Sequence, residues 1–441
     1  MLVNFRIKNW TSFKEEARLS MIATKERQHS DRLPYIKKYR SRILPIAAVY
    51  GGNASGKTNL FKSLNFAKNY IVKGLPIDAL IPVIPFMLDE SSSSETTSFY
   101  FDILIDELIY SYSFTINAES VIDEQMTAIN SVAERLLYHR HDGIIEFGKD
   151  LAVNDNELAR INFVFEGTRD NQLFLTNTIS QKVINFKNVY DWFNKTLLLI
   201  APDDRFQSFE NFIDSNSPMH DEVNRYLRLL DTGIERLGGE EIDFDSLPGQ
   251  LKKLNEDMKE GMTARVWGRG RDRIIVSRDK DGFKAKKLIT YHKNNQGAEV
   301  QFNYAMESDG SCRLINLLPA FLGLVDSLTP KVFVIDEIDR SLHSLLTRKL
   351  ISYYLGGCSH SSRNQLLMTT HDVLLIDQKL LRRDEMWVTE RNEHGESSLF
   401  SFSEYKDVRY DKDIRSSYLD GRLGGVPRLL FSDCLRETSE P

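Results

Sequence analysis

Eight consecutive residues, Gly51-Gly52-Asn53-Ala54-Ser55-Gly56-Lys57-Thr58, match the spacing G-x-x-x-x-G-K-[ST] of a phosphate-binding loop. The context is the one such a loop needs. Before it, Ile43–Tyr50 is a nearly all-apolar run suited to a buried parallel strand. After it, from Lys57 to about Val72, Leu60, Leu64, Phe66, Ala67, Tyr70 and Ile71 recur at helical spacing. Glycines let the backbone wrap a phosphate with its N–H groups pointing inward at a helix N-terminus. In that setting Lys57 neutralises the β- and γ-phosphates and the Thr58 hydroxyl ligates Mg²⁺. Gly51, Asn53, Ala54, Ser55, Gly56 and Asn59 complete the expected nucleotide-binding set. A chance Gly-rich turn does not account for strand, loop and helix together.

Far downstream, Val332-Phe333-Val334-Ile335-Asp336-Glu337 reads as a buried strand that delivers two carboxylates. Asp336 would hold Mg²⁺, directly or through water, and Glu337 would polarise the attacking water as general base. An apolar strand ending in an acidic pair is common, so the phosphate loop in the same chain gives the pair its meaning. His371 ends a third apolar run, Leu366-Leu367-Met368-Thr369-Thr370, where it can hydrogen-bond a γ-phosphate; its position in this order argues against a merely structural histidine. Glu307-Ser308-Asp309-Gly310-Ser311 precedes a helix from Leu314. It reads as a second anion cradle or, more plainly, as a helix N-cap.

The rest of the chain bounds the answer. With 441 residues, two to three domains or lobes are expected. Hydrophobic content of 41% and charged content of 27% exclude a largely disordered chain. No window reaches the roughly 18 apolar residues of a membrane span, and Met1–Lys8 alternates like a strand instead of opening a signal peptide. Cys312, Cys358 and Cys434 have no metal-ligand spacing. These features predict a cytoplasmic protein with no membrane association. A net charge of −6 excludes a uniformly basic nucleic-acid coat. One stretch, Arg265–Lys293, nevertheless carries ten Lys or Arg against three acids. It reads as a Trp267-containing track for a phosphate backbone, as the solvated face of an antiparallel hairpin, or as a seat for an acidic protein.

Strands are also expected at Leu2–Ile7, Ser98–Ile105, Leu108–Asn117, Arg273–Ser277, Lys287–His292, Glu299–Tyr304 and Met386–Glu390. An interrupted helical tract is expected over Asn171–Leu199, with helices over Met219–Leu237, stopped by Gly238-Gly239, and Pro248–Met262. Ser91–Ser94 reads as a polar surface loop. The fold class is α/β, a P-loop nucleoside-triphosphatase head with a β-rich N-terminal lobe and a helical insertion between its two halves. The expected division is 1–165 for the first half of the head, 166–264 for the insertion and 265–441 for the second half.

Phosphate loop, Ser-x-Gly-Ser turn, Asp-Glu strand and histidine, in that order, resemble the ABC-type ATPase head of SMC and RecF-like proteins. That resemblance implies a head-to-head dimer bridged by ATP, in which Ser308 and Gly310 of one copy cover the γ-phosphate held by the other. Asp339-Arg340-Ser341-Leu342-His343 matches the loop that meets its counterpart across such a dimer. The opening Asn4-Phe5-Arg6-Ile7-Lys8-Asn9-Trp10-Thr11-Ser12-Phe13, with Leu380–Trp387 and Tyr418–Pro427, looks like the ATPase subunits of bacterial anti-phage operons, such as the PARIS, Septu and retron-associated ATPases. This narrower resemblance implies ATP and Mg²⁺ as cofactors and an operon-encoded effector as partner. A RecF-like repair ATPase that binds DNA through Arg265–Lys293, and a nucleotide-dependent scaffold with little turnover, are the alternatives. One departure stands out: the family's Mg²⁺-contacting glutamine has no counterpart around Ile84–Asp89.

Overall fold

The structure, a computed structural model, describes residues 1–131, 133–149, 151, 154–203, 218–244, 247, 258–267, 272–326, 329–405 and 413–426. Arg269, Arg271, Cys434 and most of the helix expected over Pro248–Met262 lie outside them. In chain order the strands are β1 (Leu2–Lys8), β2 (Ala17–Ser20), β3 (Tyr35–Ile36), β4 (Ser41–Arg42), β5 (Ile46–Tyr50), β6 (Thr97–Ile105) and β7 (Leu108–Ile116). Then come β8 (Val121–Ile129), β9 (Glu134–His141), β10 (Ile144–Phe147), β11 (Leu197–Ile200), β12 (Ile234–Ile242), β13 (Thr263–Trp267) and β14 (Arg273–Asp279). The last are β15 (Gly282–Lys293), β16 (Glu299–Asn303), β17 (Val332–Ile335), β18 (Gln365–Thr369), β19 (Met386–Arg391) and β20 (Ser397–Ser401).

Two compact units result, each built from more than one stretch of chain. The first comprises Met1–Pro202, Leu324–Asp339 and Arg348–Pro441. It holds a seven-stranded antiparallel sheet ordered β10-β9-β8-β7-β6-β1-β2 and a six-stranded sheet ordered β11-β17-β18-β5-β19-β20. In the second sheet all pairs are parallel except β19 with β20. β5, β17 and β18 are buried at every residue, which is why they read as unbroken apolar runs: a parallel sheet covered on both faces has no solvent side to alternate toward. The Lys57–Lys73 helix buries Leu60, Phe61, Leu64, Ala67, Tyr70 and Ile71. Its Phe66 ring stacks 5.4 Å from Phe99 on β6, and its Tyr70 ring lies 6.0 Å from Phe114 on β7. One continuous core thus fixes the helix that follows the phosphate loop.

The second unit comprises Asp203–Gly323 and Arg340–Thr347. Its five-stranded antiparallel sheet centres on the long β15. β12 runs along one edge, and β14 and β16 along the first and second halves of the other; β13 pairs with β14. The Pro218–Leu229 helix is tied to this sheet through Asn224, whose Oδ1 accepts the Leu237 amide at 2.8 Å.

Several elements differ from expectation. The helix predicted over Met219–Leu237 ends at Leu229, where Asp231 takes a left-handed φ of 54° and turns the chain. Gly238 and Gly239, read as its stop, lie inside β12. Within Asn171–Leu199 the helices Phe174–Ser180 and Lys187–Asp191 and a π turn at Trp192–Thr196 form, but Leu197–Ile200 is β11, the edge strand beside β17. Ser91–Ser94 falls in a helical turn, Glu90–Ser94, with Ser92 buried. β8, β9 and β10 were not foreseen. No described helix is long and apolar enough to cross a membrane.

Candidate active site

β5 ends at Tyr50 and the chain turns through Gly51 to Gly56 before the helix opens at Lys57. Gly56 takes φ 117°, and a Cβ there would lie 2.6 Å from Ser397 Oγ, so both conformation and space demand glycine. The loop is braced from behind by β19: Ser55 Oγ lies 2.7 Å from Thr389 Oγ1, which reaches Tyr50 O at 3.2 Å. Lys57 is 4% exposed and its Nζ donates to Gly51 O (2.7 Å) and Gly52 O (2.8 Å). Burial lowers this lysine to about 8, opposed by Asp336, Asp339 and Glu337. The ammonium is therefore held in place but poorly solvated, a condition that an arriving anion relieves.

β17 lies next to β18 in parallel register, with Ile335 opposite Met368. The next residues along, Asp336 and Thr369, meet: the Thr369 hydroxyl donates to Asp336 Oδ1 at 2.5 Å and accepts the Glu337 amide at 2.8 Å. Asp336 is fully buried and Glu337 half-buried. Glu337 has a left-handed φ of 47°, a strained geometry for a residue with a side chain and the kind that functional sites retain. His371 Nε2 lies 3.9 Å from Glu337 Oε1, and the His371 amide reaches the Asp339 carboxylate at 3.3 Å. Glu337 and His371, at the ends of adjacent strands, thus stand together.

Lys57, Glu337 and His371 face one cleft of about 570 Å³, and the buried Asp336 sits behind Glu337 without lining it. The cleft is lined by Asn53 through Asn59, Glu337 and His371, with Thr11, Ser12, Ile84–Leu88, Arg391 and Gly395. The Ile84–Leu88 part of the lining is organised by Asn9, buried to 1% exposure. Its Oδ1 accepts the Phe86 amide (2.9 Å) and its Nδ2 donates to Ser92 O (2.9 Å) and Glu95 O (3.1 Å). Thr11 N donates to Ile84 O, and Ser397 N to Ser12 O, closing three segments into one lip. Asp89, the acid nearest the missing glutamine, accepts from the Ser92 and Ser91 hydroxyls and pairs with Lys14; these contacts hold its carboxyl well below the usual range. It does not line the cleft. Sequence reading gave no role to Thr369, Thr389, Arg391 or Asn9; the available signal was a threonine closing an otherwise apolar strand.

Ser308 and Gly310 belong to the second unit. Ser308 Oγ accepts the Ser311 amide at 3.0 Å, so the N-cap geometry expected of this turn is present at the start of the Asp309–Asp326 helix. A Cβ on Gly310 would lie 2.8 Å from Ser341 O, so the turn packs closely on the segment that follows Asp339.

Among the described residues no group of three or more His, Cys, Asp or Glu could hold a metal ion. No curated protein matches the sequence. Among solved structures the chain is similar to the SMC head domain from Thermotoga maritima, at 14% identity and a TM-score of 0.35, covering 91% of this chain and 98% of that one. It is also similar to an SmcHead bound to the C-winged helix domain of ScpA, at 12% identity and a TM-score of 0.38, covering 91% and 97%. Overlap of that quality is loose, and the assignment stands instead on a family model and on the phosphate loop, strand order and cleft described above. The model described as "AAA domain, putative AbiEii toxin, Type IV TA system" matches residues 46–377. That span begins at β5, ends just beyond His371 and takes in both units, so the chain belongs to this family of AAA-domain, P-loop ATPases.

Proposed function

We propose that this chain binds and hydrolyses ATP as a nucleotide-gated dimer and is the ATPase and sensor subunit of a bacterial anti-phage system that controls a separate effector. The observation that carries the hydrolytic part is the Thr369 hydroxyl, which joins the Asp336 carboxylate to the Glu337 backbone at the phosphate-loop cleft. The loop amides from Asn53 to Thr58 and the Lys57 ammonium would hold the triphosphate. The Thr58 hydroxyl and the Asp336 carboxylate are hard oxygen donors suited to Mg²⁺, which when bound draws charge from the phosphate oxygens. Glu337 would take a proton from water as the water oxygen attacks the γ-phosphorus and the bond to ADP breaks. His371 would orient that phosphate. Ser308 and Gly310 of a second copy would complete the site.

The defence role rests on the resemblance to anti-phage ATPases and on the family description, which names a toxin and a toxin–antitoxin system. The DNA-loading alternative is weakened in the described part of the basic stretch. Lys284, Lys286, Lys287 and Lys293 each lie within 4 Å of a carboxylate, on Asp279, Glu241, Asp272 and Glu235. The test is a pull-down with tagged Glu337→Gln, which should trap ATP, alongside Lys57→Ala. A stoichiometric protein retained only with Glu337→Gln and ATP supports the reading. DNA without a protein partner sinks the effector, and unchanged ATP binding by Lys57→Ala sinks the site.

A further inference from the structure

We infer that His292 and Thr290, two residues of β15 outside the cleft, are positioning residues for hydrolysis, because they fix the turn that carries Ser308 and Gly310. The inference rests on the proposed reading of that turn as the element closing on a second copy's nucleotide. Glu307 directly precedes Ser308, and its side chain is only 7% exposed. One oxygen, Glu307 Oε1, accepts from both the Thr290 hydroxyl and His292 Nε2, the latter at 2.7 Å. Thr290 and His292 are two apart on one strand and so present to the same face of the sheet. A carboxylate oxygen that is mostly out of water is costly to leave without donors, so these two contacts hold it in place.

Two further contacts of the turn are of a different kind. Ser308 Oγ accepts the amide of Ser311, which is local to the turn, and Gly310 abuts the Ser341 carbonyl, which is backbone. The Glu307 contact, by contrast, reaches the sheet through side chains. β15 is itself paired on both edges, by β12 and by β14 and β16, so it cannot shift alone. The Phe302 ring on β16 lies 4.8 Å from the His292 ring at 62°, which fixes the imidazole with Nε2 toward Glu307. The sheet of the second unit therefore holds the turn at the residue before its first functional hydroxyl.

The test compares His292→Ala, His292→Gln and Ser308→Arg with the parent protein, reading mant-ATP affinity and steady-state phosphate release. The turn is not needed to load the phosphate loop of its own copy, so His292→Ala should bind mant-ATP within about twofold of the parent while kcat falls about tenfold. His292→Gln keeps an N–H donor and should recover most of that loss. Ser308→Arg should abolish turnover whatever His292 does. Parental turnover by Ser308→Arg overturns the reading of the turn itself. With Ser308→Arg dead, parental kcat in His292→Ala overturns the positioning role, as does equal damage in His292→Ala and His292→Gln or a matching loss of mant-ATP affinity.

Discussion

The Thr369 hydroxyl uses both its hydrogen-bonding directions at the candidate active site, donating to Asp336 and accepting from the Glu337 amide. Thr369→Val keeps the shape and removes both contacts, leaving a buried acceptor and donor that cost about 1–3 kcal/mol each when unmet. It should lower phosphate release about 100-fold, the scale on which a misplaced general base acts, with ATP affinity changed little; Thr369→Ser should restore turnover. Loss of affinity in step with turnover would assign Thr369 to binding instead. Lys57 gives a second residue-scale expectation. Burial lowers it to about 8, so the ammonium that attracts phosphate is present below that pH and lost above it. ATP affinity should be level from pH 6.8 to 7.5, then fall toward about tenfold per pH unit beyond 8; titration calorimetry in buffers of matched ionic strength reads this. A level profile to pH 9.5 would contradict it. Lys57 was legible in the sequence because its motif is contiguous. Thr369 was not, because its partners lie 32 and 33 residues away and meet it only through the parallel register of β17 and β18.

Among the elements, β5, β17 and β18 were readable because burial on both faces leaves unbroken apolar runs. β11 was not, since four apolar residues after a helix fit either state and only pairing with β17 decides. β8 hid for another reason: its Glu124 is fully buried, accepting from Tyr112, Tyr138 and the Phe174 and Leu175 amides, so a core strand carries an acid. The turn that precedes β19 carries charge inward too. Arg382 is fully buried, donating through Nε and Nη2 to Asp384 at 2.8 and 2.7 Å, and its amide donates to Glu385 Oε2 at 2.8 Å. Arg32 reaches that same Glu385 oxygen, and Thr24 donates to Asp384, so the turn ties the Thr24–Arg32 segment to β19. Burial raises Glu385 to about 7 despite Arg32. A carboxyl raised above its unfolded value stabilises the fold fully below that unfolded value, and this contribution is lost as pH rises through 7. Glu385→Gln keeps the acceptor without the charge. Its melting temperature relative to the parent should therefore rise between pH 5 and pH 8, by an amount corresponding to about 1–3 kcal/mol. A constant difference across that range would show that Glu385 does not titrate there.

At the scale of the whole molecule, the proposed site needs two copies, and this need separates a dimer ATPase from a chain that hydrolyses alone. In a two-fold dimer each active site would combine the phosphate loop of one copy with the Ser308–Gly310 turn of the other, and the same pairing would occur twice. Lys57→Ala destroys the loop and spares the turn; Ser308→Arg does the reverse. Each variant alone should be inactive, because every site it can build lacks one half. Mixed in equal amounts, half of the dimers should contain one copy of each, and each of those holds one site with an intact loop and an intact turn. The mixture should recover about a quarter of the parental phosphate release, appearing only with both variants present and growing steeper than linearly with protein concentration. Glu337→Gln should supply the physical counterpart, a species of twice the monomer mass by light scattering with ATP and Mg²⁺, absent with ADP. Full activity from Ser308→Arg alone would mean that the turn takes no part in the site. Two inactive variants that stay inactive when mixed, while Glu337→Gln still dimerises with ATP, would mean that the copies meet through another face.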